Sequence, residues 1–206
     1  MQFKLSTNIP HQVVVALSGG PDSVFAVQFL LKGRRNIELA YFHHGTAHAD
    51  DALAFVSSFA KQYDLLLSTG FSNTKLYSEE EMRAHRYSFL RSLGKPVITG
   101  HNEDDLVETY IHGVVRNGHP RFIPKVNDQI LRPFLYISKK EMRDYCLKHN
   151  HEFLDDPSNT DLRYTRNRIR HEIIPQMELI NPGLRKMIVK QHEGCRSPNS
   201  TTDCVD

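Results

Sequence analysis

Ser18-Gly19-Gly20-Pro21-Asp22-Ser23 gathers two glycines, a proline, a carboxylate and two hydroxyls into six residues. That set suits an anion held against bare backbone. Gly19 and Gly20 remove the side chains that would keep phosphate oxygens away. Pro21 fits the first helical position, where its missing N–H would have no intrahelical acceptor. Ser18 and Ser23 add hydroxyl donors, and Asp22 is best used on a magnesium ion or on a ligand amine. The string is neither G-x-x-x-x-G-K-[ST] nor G-x-G-x-x-G.

A second constellation is His101, Asp104, Asp105 and Glu108, within Gly100-His101-Asn102-Glu103-Asp104-Asp105-Leu106-Val107-Glu108-Thr109. On a helix Asp104 and Glu108 are four apart and Asp105 and Glu108 three apart, so their carboxylates cluster on one surface. Such a cluster serves a cation or a basic substrate, or else it is a solvated acidic first turn favoured by the helix dipole. His101 is either a satisfied, half-buried histidine or a donor to charge that develops during transfer.

Basic residues form two further groups. Arg83 and Arg86 lie three apart on a predicted helix and can aim guanidinium forks at phosphate oxygens. Arg163, Arg166 and Arg170 fall at i, i+3 and i+7, one helical face, with Tyr164 nearby as a stacking partner, the look of a phosphate-tracking surface; the alternative is a solvated face. The net charge is only +2, so a basic surface has to come from uneven distribution. Between Asp161 and Lys190 the bases Arg163, Arg166, Arg168, Arg170, Arg185, Lys186 and Lys190 outnumber the acids Asp161, Glu172 and Glu178.

The elements that carry these residues alternate. Short β-rich runs at Val13–Leu17, Ile37–Phe42, Leu65–Ser68 and Pro96–Thr99, with a weaker one at Gln129–Leu131, are separated by helical patterns near Ser23–Leu31, Asp51–Tyr63, Glu80–Leu93 and Glu103–Val115. This is the pattern of repeated βαβ units: an α/β, Rossmann-like parallel sheet with helices on both faces. Both motifs then emerge at the carboxyl edge of the sheet and face one cleft. Ser138 and Glu141 form a capping-box pattern opening a helix to about His149, and Asp155-Asp156-Pro157-Ser158-Asn159 reads as a turn. The expected organisation is a nucleotide-binding catalytic domain over residues 1–150, a basic helical extension over 151–192 and a flexible tail over 193–206.

The string Ser18 to Ser23 resembles the PP-loop signature S-G-G-x-D-S. Three more strings narrow the resemblance: Glu79 to Tyr87 (E-E-E-M-R-A-H-R-Y), Leu131 to Leu135 (L-R-P-F-L) and Asp156 to Arg170 (D-P-S-N-T-D-L-R-Y-T-R-N-R-I-R). In this order the chain is similar to the tRNA(Ile)-lysidine synthase family from about Val13 to Pro175. His43-His44-Gly45 also matches that family's histidine-glycine turn, with Thr46-Ala47 where a Leu-Arg pair is usual.

The resemblance implies a PP-loop fold of the adenine nucleotide alpha hydrolase type, with ATP and Mg2+ as cofactors. ATP would be cleaved between its α and β phosphates, adenylating the C2 oxygen of the wobble cytidine in a tRNA(Ile) with a CAU anticodon. The ε-amine of L-lysine would then displace AMP to give lysidine. Ser18 to Ser23 would hold the triphosphate, Asp22 and Asp104 the metal, and Asp104, Asp105, His101 and Glu108 the chemistry. Arg83, Arg86, Arg163, Arg166 and Arg170 would meet the tRNA. Two departures bear on substrate range: Arg116-Asn117-Gly118 and the stretch to Pro124 replace a glycine-rich segment, and the chain reads as a short form without the C-terminal domains that many members use on tRNA.

Other classes fit less well. A tRNA thiolase needs reactive cysteines or a C-x-x-C, whereas Cys146, Cys195 and Cys204 show no such spacing. A silent nucleotide or tRNA binder would not require Asp22, Asp104 and Asp105. The longest apolar run, Val13 to Leu17, is far too short to span a bilayer, and the cysteine usage fits a reducing cytoplasm without a membrane partner. The oligomeric state is open, with a dimer among the options.

Overall fold

The computed structural model describes residues 3–45, 47–72, 79–155, 162–163 and 165–195. Among the described residues, six strands and eight α-helices follow in the order β1 (Gln12–Ala16), α1 (Pro21–Lys32), β2 (Asn36–His43), α2 (Ala47–Gln62), β3 (Leu67–Phe71), α3 (Glu79–Ser92), β4 (Val97–Ile98), α4 (Glu103–Asn117), β5 (Val126–Asn127), β6 (Ile130–Leu131), α5 (Lys139–Lys148), α6 (Thr165–Arg168), α7 (Ile174–Ile180) and α8 (Leu184–Gly194). They form one sheet of order β3-β2-β1-β4-β6-β5. All its pairings are parallel except β5 with β6. Among the described residues no helix is long and apolar enough to cross a membrane.

The apolar strands are buried on both faces, as a parallel sheet requires. Val13, Val15, Leu39 and Ile98 pack with α1, α2 and α5, and successive residues point the other way, so that Val14, Ala40, Val97 and Ile130 pack with α3 around Tyr87 and Leu90. The order reverses between β1 and β4, whose registers meet at Val14↔Val97. Connections leave that point in opposite directions and open a crevice at the carboxyl ends of the strands.

The predicted capping box of α5 is present: Ser138 Oγ accepts the Glu141 N–H at 3.2 Å and Glu141 Oε2 accepts the Ser138 N–H at 2.9 Å. The hairpin partner β5 has no signal in the sequence pattern, because two residues are too few to show alternation.

The basic tail differs from a single regular helix. Leu162 and Arg163 lie in a turn, α6 begins at Thr165, and a π-helical turn over Ile169–Ile173 follows, in which the Ile174 N–H reaches back five residues to the Ile169 carbonyl. Pro175 supplies a cause, since it has no N–H for an α-helical bond and its ring crowds the preceding turn. Arg163 lies in the turn before α6, Arg166 in α6 and Arg170 in the π-helical turn, so the three are not carried by one regular helix. Tyr164 and residues 156–159 lie outside the described residues. Leu106, Ile111 and Leu135 bury against Ile169, Ile174, Leu184 and Ile188, which fixes the tail on α4. Helix α8 carries on through Gly194, past the expected start of the flexible tail at Glu193.

Candidate active site

The loop between β1 and α1 is shaped from within. Ser23 Oγ accepts the Ser18 N–H at 3.1 Å and donates to the Gly20 carbonyl at 2.9 Å, and Ser18 Oγ lies 3.2 Å from it. The Ser23 hydroxyl, expected on phosphate, thus spends its proton on the loop. Gly19 has φ +88°, a left-handed conformation costly for other residues, and a Cβ there would meet Leu154 Cδ1 at 3.1 Å and Phe55 Cδ1 at 3.2 Å. The Gly19 carbonyl accepts the Leu154 N–H at 2.9 Å, so the chain beyond α5 braces the loop. Gly20 occupies the N-cap of α1 without a side-chain cap and Pro21 follows inside the first turn. Pro21 has no N–H and the Ser23 N–H donates to the Gly20 carbonyl at 3.1 Å, so in the first turn it is the Asp22 N–H that is left to an incoming anion.

The loop from β4 to α4 is pressed against this one. A Cβ on Gly100 would stand 3.0 Å from the carbonyl carbon and oxygen of Asp22 and 3.1 Å from the Ser23 nitrogen. Glycine is what permits the two backbones to touch. Asn102 then caps α4: its side chain accepts the Asp105 N–H at 3.1 Å, and Asp105 Oδ2 accepts the Asn102 N–H at 3.0 Å. His101 Nδ1 pairs with Thr99 Oγ1 at 2.8 Å.

These loops enclose a cavity of about 340 Å³. Ser18, Asp22 and Ser23 line one side, Thr99, Gly100, His101 and Asp105 another, and Phe42, His44 and Arg86 close it from β2 and α3. Ala16, Leu17, Ala40 and Ala52 add an apolar wall, the mixture typical of a nucleotide pocket.

The electrostatics of the cavity are unusual in several places. Burial pushes the Asp22 carboxyl up to about 7, with the charges of Asp105 and Asp104 adding to the rise and Lys139 opposing it. Asp22 Oδ1 is buried without a hydrogen-bond partner. Burial also raises Asp105. His44 is pulled down to about 4 by burial, Arg86 and His43. Burial, with Arg132, Arg86, Arg83 and Arg166 around it, holds His101 well below the usual histidine range. His101 is therefore a neutral ring in a basic environment, both satisfied through Nδ1 and available to the cavity.

Sequence expectation and geometry part company over the acidic helix. Asp104 does not line the cavity; its Oδ2 accepts the Lys139 N–H at 2.7 Å and its Oδ1 accepts Arg185 Nη1 at 2.9 Å. Glu108 takes a bidentate fork from Arg170, with Nη2 at 3.0 Å from Oε2, and Arg170 lies 3.8 Å from Asp105. Arg170 thus turns inward to the acidic cluster and away from the expected outer surface. Burial pushes Glu108 up to about 7 and the Arg170 fork opposes that rise.

Four residues without an assigned role in the sequence join the site. Lys139 Nζ stands 3.8 Å from Asp22 Oδ2. Arg132, inside L-R-P-F-L, is fully buried and donates to the Pro124 carbonyl at 2.7 Å and to the Tyr87 hydroxyl at 3.1 Å. The Arg83 guanidinium lies 4.8 Å and that of Arg86 5.5 Å from the centre of the Tyr87 ring, so Tyr87 links a buried arginine to the half-buried pair Arg83 and Arg86. Arg185 joins Asp104 to Glu178. The only sequence signal for Lys139 was its place beside the cap of α5, and Arg185 had merely been counted among the tail's bases. Cys146 is buried, its thiol donating to the Pro21 carbonyl at 3.6 Å and pushed up to about 11 by burial, which makes it a poor nucleophile.

Residues 2–177 match the PP-loop domain family, more than four fifths of the chain. The chain belongs to the PP-loop family. ATP is accordingly the nucleotide its PP-loop serves. Among curated relatives of this PP-loop chain, the tRNA(Ile)-lysidine synthase of Persephonella marina is 34% identical over 194 residues, covering 84% of this chain and 43% of that protein. That of Pseudothermotoga lettingae is 32% identical over 202 residues, covering 88% and 45%. The chain spans less than half the length of these relatives. In solved structures the fold is shared with an NH3-dependent NAD synthetase from Campylobacter jejuni in complex with the nitrate ion (TM-score 0.52, 15% identity, 95% of this chain and 91% of that one). An NMN synthetase from Francisella tularensis gives a TM-score of 0.51 at 13% identity, covering 92% and 89%. At such identities the likeness concerns the fold alone.

Proposed function

We propose that this chain is the catalytic part of a tRNA(Ile)-lysidine synthase, a ligase forming a carbon–nitrogen bond between L-lysine and C2 of the wobble cytidine of a tRNA(Ile) with a CAU anticodon. The observation that carries the reading is one cavity in which the PP-loop, a neutral His101, Arg86 and the carboxylates of Asp22 and Asp105 converge. The lysidine synthases at 34% and 32% identity supply the substrate class.

The reaction divides into two transfers. The cytidine C2 oxygen attacks the α-phosphorus of ATP and pyrophosphate leaves; the lysine ε-nitrogen then attacks C2, AMP leaves with that oxygen, and the amine gives up a proton. The Asp22 N–H at the start of α1, with the bare backbone of Gly19 and Gly20, holds phosphate oxygens throughout. His101, kept neutral by burial and by the guanidinium groups about it, can donate a ring N–H to charge that develops at the α-phosphate. Arg83, Arg86 and Arg166 supply positive charge beside His101, suited to phosphates flanking the target base. Asp105, the cavity carboxylate of α4, whose carboxyl is raised by burial, is the group to receive the lysine ammonium. Glu108 and Arg170 brace it from behind.

Asp22 Oδ1, buried and unpartnered, with Asp105 facing the same space, offers hard oxygen donors that fit Mg2+ shared with substrate phosphates. Such an ion would neutralise phosphate charge. We assign the metal to Asp22, with Asp105 left to the lysine ammonium; Asp104, paired with it in the sequence, has both oxygens taken by Lys139 and Arg185. The division into a catalytic domain to residue 150 and a tRNA-facing extension over 151–192 belongs to the same reading, with Arg163 and Arg166 retained as tRNA contacts.

The test is incorporation of labelled lysine into an unmodified tRNA(Ile) transcript with a CAU anticodon, in ATP and magnesium. Incorporation abolished by Asp105→Asn is the expected result. Pyrophosphate release without lysine incorporation would refute the substrate assignment, and neither signal would refute the enzyme.

A further inference from the structure

Asp104 reads in the sequence as a cleft carboxylate, yet both its oxygens are engaged elsewhere. One accepts the backbone N–H of Lys139 at 2.7 Å and the other a guanidinium N–H of Arg185 at 2.9 Å. Arg185 is itself held by Glu178 of α7. Lys139 is the first residue of α5, whose capping box fixes the turn that precedes it. Its backbone is therefore pinned from two directions.

The side chain is not pinned. It is 32% exposed, and its ammonium lies 3.8 Å from Asp22 Oδ2, an electrostatic contact longer than a hydrogen bond. A cation so loosely held loses little when it turns to a more strongly charged anion. Position then selects the part of the nucleotide it can meet. The cavity beyond the loop carries the apolar wall of Ala16, Leu17, Ala40 and Ala52, which suits a purine, and Lys139 is not among its lining residues. Lys139 stands at the rim, on the Asp22 side, where a triphosphate anchored at the PP-loop would place its terminal phosphates.

We propose that Lys139 is the cation that receives the β- and γ-phosphates of ATP, and that Asp104 is a positioning residue that holds Lys139 there through its backbone N–H. This rests on the reading of the loop as an ATP site. It assigns one residue to the pyrophosphate leaving group and gives the tail a part in catalysis: Glu178 orients Arg185, Arg185 orients Asp104, and Asp104 sets Lys139.

The experiment is calorimetric titration of the full chain, with magnesium, using ATP, inorganic pyrophosphate and AMP. Loss of one charge-assisted contact weakens binding about 10- to 100-fold, so Lys139→Met should lose that much for ATP and pyrophosphate and almost nothing for AMP. Lys139→Arg should recover most of it. Asp104→Asn should weaken pyrophosphate binding in the same selective way, and the double variant should bind no more weakly than Lys139→Met alone, because both act through one group. Equal losses for AMP and pyrophosphate would mean a merely structural role and would overturn the proposal. Additive losses would make Asp104 an independent ligand, as a metal-binding carboxylate would be, and would overturn its positioning part. An unaltered protein that binds neither ATP nor pyrophosphate would instead sink the ATP-site reading on which the proposal stands.

Discussion

Replacing Asp22 with asparagine should make the nucleotide-free protein more stable at pH 8 while changing it far less at pH 5. Burial lifts this carboxyl from 3.8 to about 7 in the folded protein, and its Oδ1 has no hydrogen-bond partner. The folded state therefore favours the protonated form more than the unfolded chain does. Below about pH 4 both states hold the proton and the stabilising contribution is complete; as pH rises the unfolded chain releases its proton first, and stability falls until pH passes about 7. Linkage between those two values gives a loss of about 2–3 kcal/mol from pH 5 to pH 8. For a chain of this size that corresponds to about 5–10 °C in melting temperature. Asparagine has no such proton to release, so the difference in Tm between variant and natural protein should widen by that amount across the range. Thermal melts in chelator, without nucleotide, at half-unit steps of pH measure it. Raised carboxyls that do not act on Asp22 drop out of the difference, whereas the repulsion from Asp104 and Asp105 is part of it. Parallel Tm curves for the two proteins would show that Asp22 ionises freely in the empty site, and the argument from burial would be wrong.

Gly100→Ala should reduce lysine incorporation and pyrophosphate release together, because the added methyl meets Asp22 and Ser23 backbone atoms at 3.0–3.1 Å and neither loop can yield alone; a cost of about 1–3 kcal/mol in stability accompanies overpacking of this kind, and chemical denaturation measures it. Arg170→Met should destabilise by about 3–5 kcal/mol, since it strands Glu108, whose side chain is 6% exposed. The double variant Arg170→Met/Glu108→Leu should regain much of that loss, and a double-mutant cycle with no coupling between the two would contradict the bidentate pair. Cys146→Ala should keep ATP-dependent turnover, as the buried thiol takes no part in the chemistry, and loss of turnover in a folded variant would revive a thiol-based reaction.

The parallel sheet could be read from the sequence because its strands are buried on both faces and appear as continuous apolar runs, Val13 to Leu17 the clearest. The PP-loop could be read because it depends on local backbone demands that only certain residues meet: Gly19 at positive φ, Pro21 inside the first turn of α1. The acidic motif was legible as a cluster and illegible in its division of labour. Asp104, Asp105 and Glu108 share a helix surface by spacing alone, whereas their partners come from 35, 65 and 62 residues away in the chain: Lys139 with Asp104, Arg170 with Asp105 and Arg170 with Glu108. Helical periodicity places a side chain on a face and says nothing of what packs against that face.

The same limit explains Arg170, and through it the tail. A run of arginines at helical spacing looks like a surface for RNA, and the sequence contains no local sign that one of them answers a carboxylate cluster on α4. Arg170 lies in the π-helical turn before Pro175 and meets Glu108 there, while Ile169 and Ile174 bury in the apolar seam beside it. The basic tail is thus tied to the acidic helix by two guanidinium groups, Arg170 on Glu108 and Asp105 and Arg185 on Asp104 and Glu103. A segment whose charge suggests a partner outside the molecule spends part of that charge inside it, bracing Asp105 from behind and fixing the backbone of Lys139. RNA that engages Arg163 and Arg166 would therefore meet a surface mechanically continuous with the groups about the PP-loop.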